Sequence, residues 1–155
     1  MSSELTTPDQ EYLTFELGSE EYGIDILTVQ EIRVWSPVTT IPNTPDFLKG
    51  VINLRGVIVP IVDLRLRFKY QAKEYNETTV VIVLKGLVNN KTVLVGIVVD
   101  AVSDVHKVTA EQEQDAPDFG SQIDSQFIKS MATIAEKIVI FLNARRLLDV
   151  ESLFH

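Results

Sequence analysis

An all-β fold assembled from two small barrels is the architecture this sequence predicts, on three observations. Val and Ile supply 34 of the 155 residues, and both are stiff, β-branched side chains that favour a pleated surface over a helix. The stretches they occupy are short, bounded by polar residues or Gly, and lack helical crossovers, which points to a barrel or sandwich rather than a parallel α/β sheet. The chain also describes its barrel twice. Phe47–Phe68 lies over Phe127–Leu148 at a constant offset of 80 residues, with five of 22 positions identical: Phe47/Phe127, Lys49/Lys129, Ile58/Ile138, Val59/Val139 and Arg65/Arg145. Upstream, Tyr22-Gly-Ile-x4-Val29-x-Glu31-Ile32 matches Val95-Gly-Ile-x4-Val102-x-Asp104-Val105 in the same chain order. Two repeats of this kind are expected to share an apolar interface, because a barrel of about 70 residues is small for independent stability.

The elements follow from the local pattern. Tyr12–Leu17 reads as a strand with Leu13, Phe15 and Leu17 on one face, and Tyr22–Ile26 alternates likewise. Val51–Leu54, Val57–Val62, Thr79–Leu84, Val93–Val99 and Ile138–Leu142 complete the strands. Two short helices are expected, Leu27–Val34 and Asn143–Leu148, the second with Asn143 as N-cap. Arg55-Gly56 forms a hairpin tip, and Pro60 inside an apolar run marks an edge strand, since proline cannot donate to a ladder. Lys69–Thr78 is a polar connector, Gly86–Lys91 a turn, and Thr109–Gln126 a long acidic excursion. The expected organisation is a tail at 1–10 and a single domain at 11–150, with a first barrel at about 11–78 and a second at about 79–150. A short tail at 151–155 follows.

Composition removes many activities. With no Cys and only His106 and His155, thiolate metal sites, Cys nucleophiles and three-His centres are excluded. A net charge of -8 opposes nucleic acid and anionic membranes as partners, because phosphate binding needs clustered cations. Apolar runs reach only about five residues, against the ~20 of a spanning helix, and the polar, acidic start carries no export signal. A cytoplasmic protein is the expectation.

Motifs for hydrolysis, nucleotide binding and zinc proteolysis are absent. Asp25, Asp63 and Asp100 lack the turn context of an aspartic protease dyad. His106 reads as a surface turn residue, Asp100 and Asp104 as solvated or capping carboxylates, and Arg65, Arg67, Lys69 and Lys73 as a solubilising face. Neither a cofactor nor a metal is expected. Arg55 is either an ordinary turn arginine or a rigidly mounted docking residue. Val29 is either core or contact surface, and Trp35 either covers the core or stands out as an anchor.

One long ordered pattern then stands out. It begins Phe15-x-Leu17-Gly18-x-Glu20-x-Tyr22-Gly23-Ile24 and continues through Val29-x-Glu31-Ile32 and Ile41-Pro42-Asn43-x-Pro45-x-Phe47. It runs on through Gly50-Val51-x-Asn53-Leu54-Arg55-Gly56-x-Ile58-x-Pro60-Ile61-x-Asp63-Leu64 to Gly96-Ile97-Val98-Val99-Asp100-x-Val102. This pattern resembles the CheW family of bacterial chemotaxis coupling proteins over residues 11 to 150.

The resemblance implies two SH3-like five-stranded barrels around a common core, no catalysis, and an adaptor bridging chemoreceptor cytoplasmic tips to the regulatory domain of the histidine kinase CheA. It implies a receptor-facing groove at Val29, Glu31, Gly50, Arg55, Val102 and Val105. It also implies one kinase-facing surface with Glu20 and Ile26, and a second contact through Phe119. Where some members carry arginine in that second loop, this chain has Gln114 between Glu113 and Asp115. The adaptor portion of a CheV-like protein and a detached kinase regulatory domain are close alternatives. The absence of a receiver pocket or an ATP lid favours the stand-alone adaptor. A small two-barrel hydrolase is the alternative of another class, and the missing catalytic pair opposes it.

Overall fold

The structure, a computed structural model, describes residues 9–71, 74–115 and 125–149. Ten strands and two short helices follow one another: β1 (Gln10–Leu17), β2 (Glu20–Asp25), β3 (Val29–Val34), β4 (Leu48–Leu54), β5 (Val57–Asp63), α1 (Leu64–Arg67), β6 (Val80–Val88), β7 (Lys91–Val99), β8 (Ala101–Val108), β9 (Ile128–Ile134), β10 (Lys137–Leu142) and α2 (Ala144–Leu148). They form two five-stranded sheets, ordered β8-β1-β2-β10-β9 and β3-β6-β7-β5-β4.

Each sheet closes on itself. Thr39, beyond the end of β3, exchanges backbone hydrogen bonds of 2.8 and 3.0 Å with Val51 of β4. Gln114, beyond β8, exchanges two of 2.8 Å with Met131 of β9. Val51 and Met131 are themselves 80 residues apart, so the repeat read in the sequence is a repeat of structure. It extends to the helices. Asp63 and Asn143 are the N-caps of α1 and α2, and their N–H groups donate to the carbonyls of Phe47 and Phe127 at 2.7 and 2.8 Å. Arg55-Gly56 and Ala135-Glu136 are matching two-residue hairpin loops with positive φ at both positions, the twist that suits a right-handed strand pair.

The division expected near residue 78 is not the one the sheets follow. β1 and β2 pair with β8 and β10, while β6 and β7 join β3 and β5. Each repeat has thus placed its first hairpin in the barrel of the other. The parallel pairings that receive these hairpins are equivalent: Gly23 lies opposite Phe141, and Gly96 opposite Ile61. Both glycines are needed for the close approach, since a Cβ would come within 2.7 Å of the Phe141 ring and 2.6 Å of Ile61 Cδ1.

Three apolar clusters result. Tyr12, Val108, Ala132, Val139 and Phe141 fill the barrel of β1, and Leu54, Val59, Ile61, Val81, Val83 and Val98 fill that of β3. The largest lies between the sheets and includes Leu13, Phe15, Leu17, Ile24, Val62, Ile82, Val99, Phe127 and Leu147. β1 therefore buries both faces, Leu13, Phe15 and Leu17 toward the shared core and Tyr12 toward the barrel interior, where it stacks on Phe141 at 4.0 Å between ring centroids. Trp35 is half-buried and stacks on Tyr75, covering the β3 barrel.

Several local expectations change. Leu27–Val34 is a single 3-10 turn, Ile26–Thr28, followed by strand β3, because β-branched Val29, Ile32 and Val34 pair with β6. Gly86–Val88 continues β6, and only Asn89-Asn90 turns. His106 lies within β8, opposite Tyr12. Pro60 is not on an edge, for β5 sits between β7 and β4. The parallel ladder to β7 begins one residue later, at Ile61, so no hydrogen bond to β7 is lost at the proline.

Candidate functional site

The β4–β5 hairpin carries Arg55 at its tip with φ 50°, outside the two strand edges that the barrel joins. From there its Nη2 donates to Glu31 Oε1 of β3 at 2.6 Å. Arg33 Nη1 donates to the other oxygen, Oε2, at 3.3 Å. Glu31 is thus held by two guanidinium groups at the seam of the β3 barrel. The Arg55 hydrogen bond, with that of Arg33, keeps the carboxyl below the usual glutamate range. The arrangement is an ion pair mounted on stiff strands, its Arg55 side chain exposed.

The other sequence-derived candidates fall into different settings. Val29 and Val102, half-buried at the starts of β3 and β8, both pack against the core shared by the sheets. Val105 is 42% exposed on β8. Gly50 is buried with φ 150°, and a Cβ there would stand 2.2 Å from the Thr39 carbonyl oxygen. Its glycine is needed for the barrel to close. Glu20 is exposed at the start of β2, and Ile26 is half-buried against the shared core. Phe119 lies outside the described residues. Gln114 has its backbone committed to the β9 pairing.

Arg65 overturns the expectation of a basic solvated face. It is 2% exposed. Its Nε and Nη2 bind Asp63 at 3.0 and 2.9 Å, and Nη1 binds Asp100 at 3.0 Å. Tyr75 adds a hydroxyl donor to Asp63, also at 3.0 Å. The hydrogen bonds to Asp63 hold the guanidinium even more firmly protonated than usual. Asp100 Oδ2 in turn accepts from Gly18 N–H at 2.8 Å, tying α1 to the β1–β2 turn of the other barrel. Arg67 lies over the rings of Phe47 and Phe127. Sequence reasoning missed this network, although Asp63-x-Arg65 was visible as a cap and its second residue. It also passed over Leu27, 89% exposed beside Ile26. Among the described residues there is no group of three His, Asp or Glu side chains placed to hold a metal, and no helix long and apolar enough to cross a membrane.

A family model described as the CheW-like domain matches residues 11–152. The chain belongs to the CheW-like family. Among its relatives, the chemotaxis protein CheW of Klebsiella aerogenes is 52% identical over 147 residues, which cover 95% of this chain and 86% of that protein. The chemotaxis protein CheW of Bacillus subtilis is 30% identical over 153 residues, 98% of this chain and 94% of the relative. The crystal structure of the scaffolding protein TtCheW from Thermoanaerobacter tengcongensis matches with a TM-score of 0.78 at 31% identity, covering 88% of this chain and 90% of that one. Family membership and the all-β, two-barrel fold expected from the sequence therefore stand.

Proposed function

We propose that the chain is a non-catalytic chemotaxis adaptor that couples the cytoplasmic tips of chemoreceptors to the histidine kinase CheA. Its relatives bear the names of a chemotaxis and scaffolding protein over nearly their whole length. The observation that carries the reading is the Arg55–Glu31 pair, a rigid charged mark beside half-buried Val29. A receptor tip is a helical hairpin, and such a partner calls for apolar contact area with a charged rim. In this reading Val29, Val102 and Val105 supply the apolar contact and Glu31 and Arg55 its orientation, while Gly50 acts through its backbone.

The kinase regulatory domain, which has the same fold, docks at Glu20 and the turn beginning at Ile26. A second ring contact runs through Phe119, with Gln114 in place of an arginine changing its charge partner. The protein acts in the cytoplasm, at membrane-associated receptor arrays reached through protein contacts, without nucleic acid, metal or cofactor. The test is a pull-down of the full chain with a CheA regulatory domain and a receptor cytoplasmic fragment, separately and together. Capture of each alone and of both at once is expected. Capture of neither overturns the reading.

A further inference from the structure

The repeat provides an internal comparison. In the first copy the short helix after the cap presents Arg65, which the protein neutralises with its own carboxylates, Asp63 and Asp100. In the second copy the equivalent arginine is Arg145, and both carboxylates are gone. The cap is Asn143, which is neutral and accepts from Arg146 N–H at 3.3 Å. The position matching Asp100, through the 73-residue offset that relates Val29 to Val102, is Leu27. Arg145 and its neighbour Arg146 are both exposed, and none of the ion pairs among the described residues includes either.

The two arginines line a cleft of about 420 Å3 with Val88, Asn89, Asn143 and Asp149. It is the counterpart of the smaller cavity, about 180 Å3, that borders Arg65, Gly18 and Asp100. In each, a hairpin turn faces a short helix: Gly18 belongs to the β1–β2 turn, and Asn89 to the β6–β7 turn. Within a chain of net charge -8, this cleft sets two adjacent guanidinium groups beside one carboxylate, Asp149, where the first copy sets one guanidinium against two, Asp63 and Asp100.

We propose that this cleft binds carboxylate side chains of an acidic segment on a partner protein. The external carboxylates take the place that Asp63 and Asp100 hold in the first copy. The chemistry is set by the first copy, where the planar guanidinium is met by carboxylates, one of them bidentate. None of the residues that line the cleft is assigned to receptor or kinase contacts, and the proposal stands or falls independently of those contacts.

The experiment titrates the 15N-labelled full chain with the blocked peptide acetyl-hexaglutamyl amide at constant ionic strength. Inorganic phosphate and acetate serve as separate arms. Saturable shifts confined to the amides of Asn89, Asn143, Arg145 and Arg146 are expected with the peptide. The double variant Arg145→Gln/Arg146→Gln should bind at least tenfold more weakly. Asn143→Asp, which restores the internal carboxylate of the first copy, should also weaken peptide binding at least tenfold while the rest of the spectrum stays unchanged. If the double variant fails to fold, Asn143→Asp alone decides. Unsaturated shifts spread over the surface, wild-type affinity in Asn143→Asp, or equal affinity for phosphate or acetate overturns the proposal.

Discussion

Arg55 Nη2 stands 2.6 Å from Glu31 Oε1, and that contact joins the β4–β5 hairpin to β3 at opposite ends of one sheet. An exposed pair of this kind contributes little to stability, since Arg55 is 67% exposed. In the proposed receptor contact its part is to fix the direction of two charges. Arg55→Asp is therefore expected to keep a cooperative melt close to that of the parent, while affinity for a receptor cytoplasmic fragment falls by tenfold or more. Parent-like receptor binding by the folded variant would remove Arg55 from the site.

The same pair predicts a pH response. Because Arg55 and Arg33 hold the Glu31 carboxyl below its unfolded value, the stabilisation is present above the ordinary glutamate pKa of about 4.3. It is lost as pH falls through the lower folded-state value. Carboxyl-detected NMR should show Glu31 titrating below the ordinary glutamate range, and Arg55→Gln should move it upward. An unchanged Glu31 titration in Arg55→Gln would mean that the contact is not held in solution.

Removing the buried cation should be costly. Arg65→Met leaves Asp63, 1% exposed, without its charge partner, and breaking such a pair costs about 3–5 kcal/mol. In a domain of this size that is a fall in Tm of about 6–20 °C. Arg145→Met, at the equivalent but exposed position, should change Tm by no more than about 1–2 °C. Thermal melts of the two variants side by side make the comparison. Equal losses would contradict the burial asymmetry between the repeats.

Ile26 packs against the shared core while its neighbour Leu27 stands out from it. Ile26→Glu pushes a carboxylate toward the shared core and is expected to lower stability, because an unpaired charge there is poorly solvated. Leu27, 89% exposed, can become Glu with little change in melting, yet binding of the CheA regulatory domain should weaken at least tenfold. Titration calorimetry alongside melting curves distinguishes them. Unaltered kinase affinity in Leu27→Glu would exclude this turn from the contact.

Much of the fold that surrounds Arg55 is legible in the sequence. Arg55-Gly56 was readable as a hairpin tip, Asn143 as a cap, and the 80-residue repeat as a doubled barrel, because turn geometry, capping and side-chain alternation act over a few residues. The contact between Arg55 and Glu31 was not readable from spacing, since the two are brought together only when β3 and β4 meet at the closing seam.

The hairpin exchange lies further from local reach. β1–β2 and β6–β7 carry equivalent patterns, and nothing within either says which barrel receives it. That choice depends on which arrangement buries Leu13, Phe15, Ile82 and Val99 together between the sheets. The burial of Arg65 is of the same kind. Its neighbours in the chain are basic and read as a solvated face, but Asp100, 35 residues on, and the Gly18 turn of the other barrel close over it. Local patterns specify strands, turns and caps through short-range sterics and hydrogen bonds. Partner choice and the burial of charge follow from contacts between distant segments, and these exist only once the chain has folded.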